Sequence, residues 1–169
     1  MPIVAGDIDY HLSGGAANSD PDASLGGAIS STQITDASLH NLFDIVSSAE
    51  ASAGDTEYRC FYVKNAHGTL TLQNAVVWIQ TQTPSGDTSV EIALAGEGVN
   101  GTAETVADES TAPVGETFSA PATEGAALSI GDIPAGQHQA IWVKRIVGSS
   151  ASAYNTDSVV IRVKGDTAA

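Results

Sequence analysis

The residues of this chain whose types could do chemistry are few and dispersed. His11, His40, His67 and His138 show no i, i+4 or H-x-H spacing, so metal ligation would require convergence in three dimensions. Cys60 is the only cysteine, which rules out an intrachain disulfide and leaves a thiolate zinc site without ligands. It lies among Tyr58, Phe61, Tyr62 and Val63, a setting that predicts a buried, inert thiol. Asp7, Asp9, Asp20 and Asp22 resemble a hard-cation site only loosely; the D-x-[DN]-x-[DN]-G loop is absent, and Asp20 and Asp22 read as an acidic turn. Gly96-Glu97-Gly98-Val99-Asn100-Gly101 matches G-x-G-x-x-G, which needs a helix opening on its third glycine to hold a dinucleotide. Here only Thr102 to Glu109 could be helical before Pro113, and acidic surroundings disfavour a pyrophosphate, so the hexamer reads as a glycine-rich loop. Asn100-Gly101-Thr102 fits a glycosylation sequon but reads as a turn without a secretory signal. No nucleophile elbow, phosphate-binding loop or H-E-x-x-H occurs. The sequence nominates no catalytic residue, no cofactor-binding residue and no metal ligand.

Composition narrows the partners. The 169 residues, 17.1 kDa, are the size of one domain or a domain plus an arm, and 42% hydrophobic content argues against disorder. Only 15% of residues are charged, and 20 acids against 6 bases give a net charge of −14. That balance disfavours nucleic acid and anionic membranes, both of which need a basic footprint. Residues 1–7 carry no positive charge and no long apolar run, so they do not read as a signal peptide. Apolar runs of four or five residues are far short of the ~20 that span a bilayer. A soluble protein made in the cytoplasm is expected. The bases are confined to Arg59, Lys64, Lys144, Arg145, Arg162 and Lys164, and two base-free stretches carry nine acids each. They either gather into one patch on neighbouring strands or serve as partners for acids across strands and at edges.

The elements that must position these residues are strands. Residues 1–53, rich in Gly, Ser, Ala and Asp, predict an extended arm with short strands such as Ile8 to Leu12. Leu39 to Val46 fits a strand or a helical turn, and Ala49 to Ala53 is too short to decide. From residue 54 to 169 a body follows: Glu57–Lys64, Ala75–Thr81, Ser89–Ala95, Thr117–Ala120, Ala127–Ile130, His138–Val147 and Ser158–Lys164 all read as strands. Val90, Ile92 and Leu94 alternate with Ser89, Glu91 and Ala93, and Val159, Ile161 and Val163 oppose Arg162 and Lys164. The expected fold is all-β, a β-sandwich of Ig-like or jelly-roll-like type with an extended N-terminal arm. Trp78 and Trp142, each in an apolar run, are expected in its core.

Several strings carry a likeness. Tyr10-His11-Leu12-Ser13-Gly14-Gly15-Ala16-Ala17-Asn18-Ser19-Asp20-Pro21, Ser24-Leu25-Gly26-Gly27, Gly54 to Cys60, Tyr62 to Asn65, Ile133 to Gly136 and Ile141-Trp142-Val143 resemble small virion structural proteins of tailed bacteriophages. The resemblance implies a non-enzymatic, many-copy particle component of the capsid decoration or cement type, assembled into virions in the host cytoplasm. Its implied partners are the major capsid protein or other virion subunits and copies of itself, in trimers or other small closed assemblies, with no cofactor. An arm of residues 1–27 that binds the particle would be dispensable for folding of the body. A carbohydrate-binding or adhesin-like sandwich is the alternative, and it requires exposed aromatics on one face; a hydrolase on a β scaffold requires a pocket with convergent acid, base or metal.

Overall fold

Period-two alternation decides how the strands stack. The computed structural model describes residues 1–167, and over them the chain forms β1 (Ile8–Leu12), β2 (Gly26–Gly27), α1 (Ser48–Ala53), β3 (Asp55–Asn65), β4 (Leu72–Thr81), β5 (Thr88–Leu94), β6 (Ala103–Thr105), β7 (Leu128–Ile133), β8 (His138–Val147) and β9 (Val160–Thr167). A four-stranded sheet runs β1-β3-β8-β5, a three-stranded sheet β7-β4-β9 and a short ribbon β2-β6, all antiparallel. The fold is all-β and sandwich-like.

Side chains of one parity on β3, β8 and β5 (Phe61, Val63, Ile141, Val143, Val90 and Ile92) meet Ala75, Val77, Ile79, Ile133 and Val163 of the three-stranded sheet. Branched aliphatics stack efficiently on pleated surfaces, so this interface is the main core. The other parity is buried as well. Cys60, Tyr62, Ala93, Ala140 and Trp142 pack against Ala95, Ala103 and Val106, with Leu25 and Ile29 at the margin. The four-stranded sheet is therefore the middle layer of three, which explains why Ala140-Ile141-Trp142-Val143 has no polar residue to turn outward.

The first 34 residues lie along this body. β1 pairs with β3 over five residues, from Ile8 opposite Asn65 to Leu12 opposite Phe61. Its outer edge is occupied by the segment that follows β2: Ser30 N–H donates to Leu12 O, Leu12 N–H to Thr32 O and Ile34 N–H to Tyr10 O. Beyond β1 the exposed edge of β3 is taken over by Ser24 O, which accepts from Cys60 N–H, and by Glu109 O, which accepts from Tyr58 N–H. At the opposite edge Ile92 and Ser119 exchange both backbone bonds, and the Gln82 amide pairs with the N–H and C=O of Val90. These contacts blunt the open edges of the four-stranded sheet, on which sheets otherwise aggregate.

Local expectations differ at four places. Thr102 to Glu109 contains strand β6, because Gly98 and Asn100, both at positive φ, turn the chain back instead of opening a helix. Leu39 to Val46 is neither strand nor helix. Residues 48–53 are a single helical stretch, with Ser47 and Glu50 forming a reciprocal cap and Gly54 at φ +81° ending it. The Thr117 to Ala120 expectation reduces to the single bridge at Ser119.

Candidate functional site

Two regions combine function-bearing side chains with unusual burial: the face of the middle sheet clad by the N-terminal segment, and one end of the sandwich interior. On the clad face, Tyr62 is the central post. Its hydroxyl donates to Gly27 O at 2.6 Å and accepts from Ala103 N–H at 2.9 Å, tying β3 to both strands of the ribbon. Burial pushes the phenol up to about 12, so it remains a donor at any physiological pH. The His138 ring meets Tyr62 edge-on at 4.9 Å, and burial, then Lys64, pushes its pKa down. Burial pushes the Cys60 thiol up, which keeps it protonated and unreactive. Gly26, at φ +90°, lies against Trp142 and the Glu104 carbonyl; a Cβ there would overlap that carbonyl oxygen. Ser13 Oγ accepts from Gly26 N–H at 3.1 Å, and the Asn18 amide donates to Ser13 O at 2.6 Å and to Asp20 O at 3.0 Å.

The strings singled out in the sequence divide between the two faces of the middle sheet. Leu25, Cys60, Tyr62 and Trp142 lie on this clad face, Tyr10, Val63, Ile133, Ile141 and Val143 belong to the main core, and Asn65 donates to Ile133 O while its own carbonyl accepts from Gly136 N–H. Comparison with family models, curated proteins and solved structures returned no match.

The second region is the charged end of the sandwich. Asp55, Glu57 and Arg59 share a parity with Phe61 and Val63, so β3 carries its charges toward the interior where the three-stranded sheet no longer covers it. Glu57 stands opposite Arg145 of β8, and Arg145 Nε donates to Glu57 Oε2 while its terminal nitrogens reach Asp44 O at 2.7 Å and Asp44 Oδ1 at 3.1 Å. Arg59 bonds Glu109 and lies 3.9 Å from Asp22. The Phe43 ring sits beneath both guanidinium groups, 4.8 Å from Arg145 and 5.6 Å from Arg59. Glu57 and Arg59 are each 1% exposed. Burial pushes the Glu57 carboxyl up, Asp44 and Glu109 add to the effect, and Arg145 opposes it. The irregular 39–46 segment is thus pinned by Phe43 and Asp44, and it presents Leu39 and Ile45 at 68% and 70% exposure.

Four of the six bases pair with acids: Arg59, Arg145, Lys144 with Glu91 directly across β5 and β8, and Lys164 with Glu124. The basic clusters act as cross-strand and strand-to-loop partners. Trp78 and Trp142 are 6% and 0% exposed, which deprives a carbohydrate-binding face of both. Asp20 caps the short turn at Pro21–Ala23, and Asp22 faces Arg59. Among the described residues, groups of three or more possible metal ligands contain no histidine and not Cys60. His11 Nδ1 bonds Ser30 O, and His67 Nδ1 accepts from Thr69 and Leu70 N–H. Parity along β3 is the one sequence signal that marks the charged end. Counting back from Phe61 in steps of two reaches Arg59, Glu57 and Asp55.

Proposed function

We propose that this chain is a non-enzymatic bacteriophage virion structural protein, a decoration or cement component that packs onto the head shell and against copies of itself. The observation that supports the reading is the N-terminal segment itself, which carries two of the resembling strings and is laced over Tyr62 and Trp142 of two others. The three-layer body, with the edges of its middle sheet met by loops, supports the same reading, because a many-copy protein must associate only through its intended contacts. Net charge of −14 would hold finished particles apart in solution. In this reading the pinned 39–46 segment, with Leu39 and Ile45 displayed, contacts the shell.

The test is particle occupancy. Antibody against the recombinant protein should decorate the heads of intact virions in electron micrographs, and banded particles should contain the chain in many copies. Leu39→Ser with Ile45→Ser should lower occupancy at least tenfold while leaving the melting temperature within about 2 °C, as exposed substitutions do. Banded particles devoid of the chain would sink the proposal.

A further inference from the structure

We propose that the carboxylates of Glu50, Asp55 and Glu57, where α1 meets the start of β3, form a binding site for a single calcium ion. One ligand oxygen from each of the three lies within 4.8 Å of the other two. Oxygens bound to one calcium at about 2.3–2.6 Å can be up to about twice that distance apart, and calcium is a hard cation that takes several carboxylate oxygens in flexible geometry, whereas magnesium demands a near-ideal octahedron and keeps its waters.

The second observation is Glu57 itself. Its side chain is 1% exposed, Oε2 is engaged by Arg145, and Oε1 is buried without any hydrogen-bond partner. A buried carboxylate oxygen left unpaired is costly and calls for a partner. Glu57 also belongs to a second carboxylate group, with Asp44 and Glu109, but that group is already served by cations: Arg145 holds Asp44 and Arg59 holds Glu109. Around Glu57 there are five carboxylates, those of Asp44, Glu50, Asp55, Glu57 and Glu109, and two guanidiniums, Arg59 and Arg145. Of the surplus of three negative charges, one arises where Asp44 and Glu57 share Arg145, and two are Glu50 and Asp55 on the α1 side, which have no arginine.

Both of those residues are held in place with an oxygen to spare. Glu50 Oε2 accepts from Ser47 N–H at 2.6 Å in the helix cap, and Asp55 Oδ1 accepts from Thr56 N–H at 2.8 Å. Oε1 of Glu50, Oδ2 of Asp55 and Oε1 of Glu57 are then the oxygens for the ion, with water completing its shell. Bound calcium would clip α1 to β3 and so fix the 39–53 segment against the body. The site does not depend on the virion reading.

Full-length protein stripped with chelator and titrated with calcium chloride is the measurement, read by thermal melting and by calorimetric binding. Millimolar calcium should raise the melting temperature by about 3 °C or more, with one ion bound per chain and a smaller response to magnesium. The double variant Glu50→Gln with Asp55→Asn, which leaves the Arg145–Glu57 pair intact, should abolish both signals. Glu124→Gln, remote on the Lys164 pair, should keep them. An unchanged melting temperature with no binding heat in the wild type, or an undiminished response in the double variant, overturns the site. The former result would mean that Glu57 is instead held as the neutral acid.

Discussion

The two faces of the four-stranded sheet are buried by different means. One meets another sheet, and its stabilisation comes from Val, Ile and Phe side chains interdigitating across two pleated surfaces. The other meets a short two-stranded ribbon and loops, which offer little apolar area and many backbone polar groups. There, large rings and directed hydrogen bonds replace aliphatic stacking: Trp142 fills the space, and Tyr62, Ser13 and Asn18 bond the groups that the loops would otherwise leave unpaired. Glycine at 26 is required because its φ is +90° and a Cβ there would overlap the Glu104 carbonyl oxygen, with the Trp142 ring close behind. A sheet face can thus be sealed by irregular chain when each loop carbonyl and amide finds a fixed partner, and the cost is sensitivity to loss of single polar atoms.

The largest effect should come from removing the cladding. Deleting residues 1–27 strips β1 and β2 and uncovers Cys60, Tyr62 and Trp142, so the cooperative thermal transition should disappear; net stabilities of about 5–15 kcal/mol leave no margin for such a loss. This is the opposite of what the virion-protein resemblance implies, that residues 1–27 are dispensable for folding of the body. A truncated protein that melts sharply near the full-length temperature would show the clad face to be self-sufficient.

A subtler contrast comes from one oxygen against one methylene. Tyr62→Phe leaves Gly27 O and Ala103 N–H without their buried partner and should cost about 1–2 kcal/mol in denaturant unfolding. Ile141→Val on the aliphatic face should cost about 1 kcal/mol. If the phenylalanine variant is the milder of the two, the polar-sealing view of the clad face fails.

The smallest effect concerns the charged end, which follows neither pattern. Glu57 has a folded-state pKa raised above the ordinary carboxylate value of 4.5, because burial and its acidic neighbours favour the neutral form. Its contribution to stability is then fully present below that value and is lost as pH rises through the folded pKa. Groups facing it from every side enter the balance: Arg145 of β8, Asp44 of the 39–46 segment, Arg59 and Asp55 of β3, Glu50 of α1 and Glu109 after β6. Unfolding free energies measured in chelator from pH 4.5 upward should show wild type losing ground to Glu57→Gln. Parallel pH curves would place the Glu57 carboxylate in a fully compensated site.

Much of the body was legible because period-two alternation is a local signal. β8 spans His138–Val147 as its apolar run indicated, and both tryptophans are in the core. The short helix was not read, although Ser47-Ser48-Ala49-Glu50 is a capping box and Gly54 follows the last turn. The charged end was half visible: parity along β3 turns Glu57 and Arg59 inward, but nothing local pairs Arg145 with Asp44 across 101 residues.

By itself the sequence determined an all-β chain, its main strands, an acidic surface, and a lone cysteine in an apolar run, since these depend on residue type and nearest-neighbour spacing. Only the tertiary structure decided that the N-terminal segment seals the second face of the middle sheet and that five carboxylates gather around two arginines. Both depend on long-range backbone pairing, in which Gly, Ser and Asp residues with little hydrophobic signal are placed by partners far away in the chain.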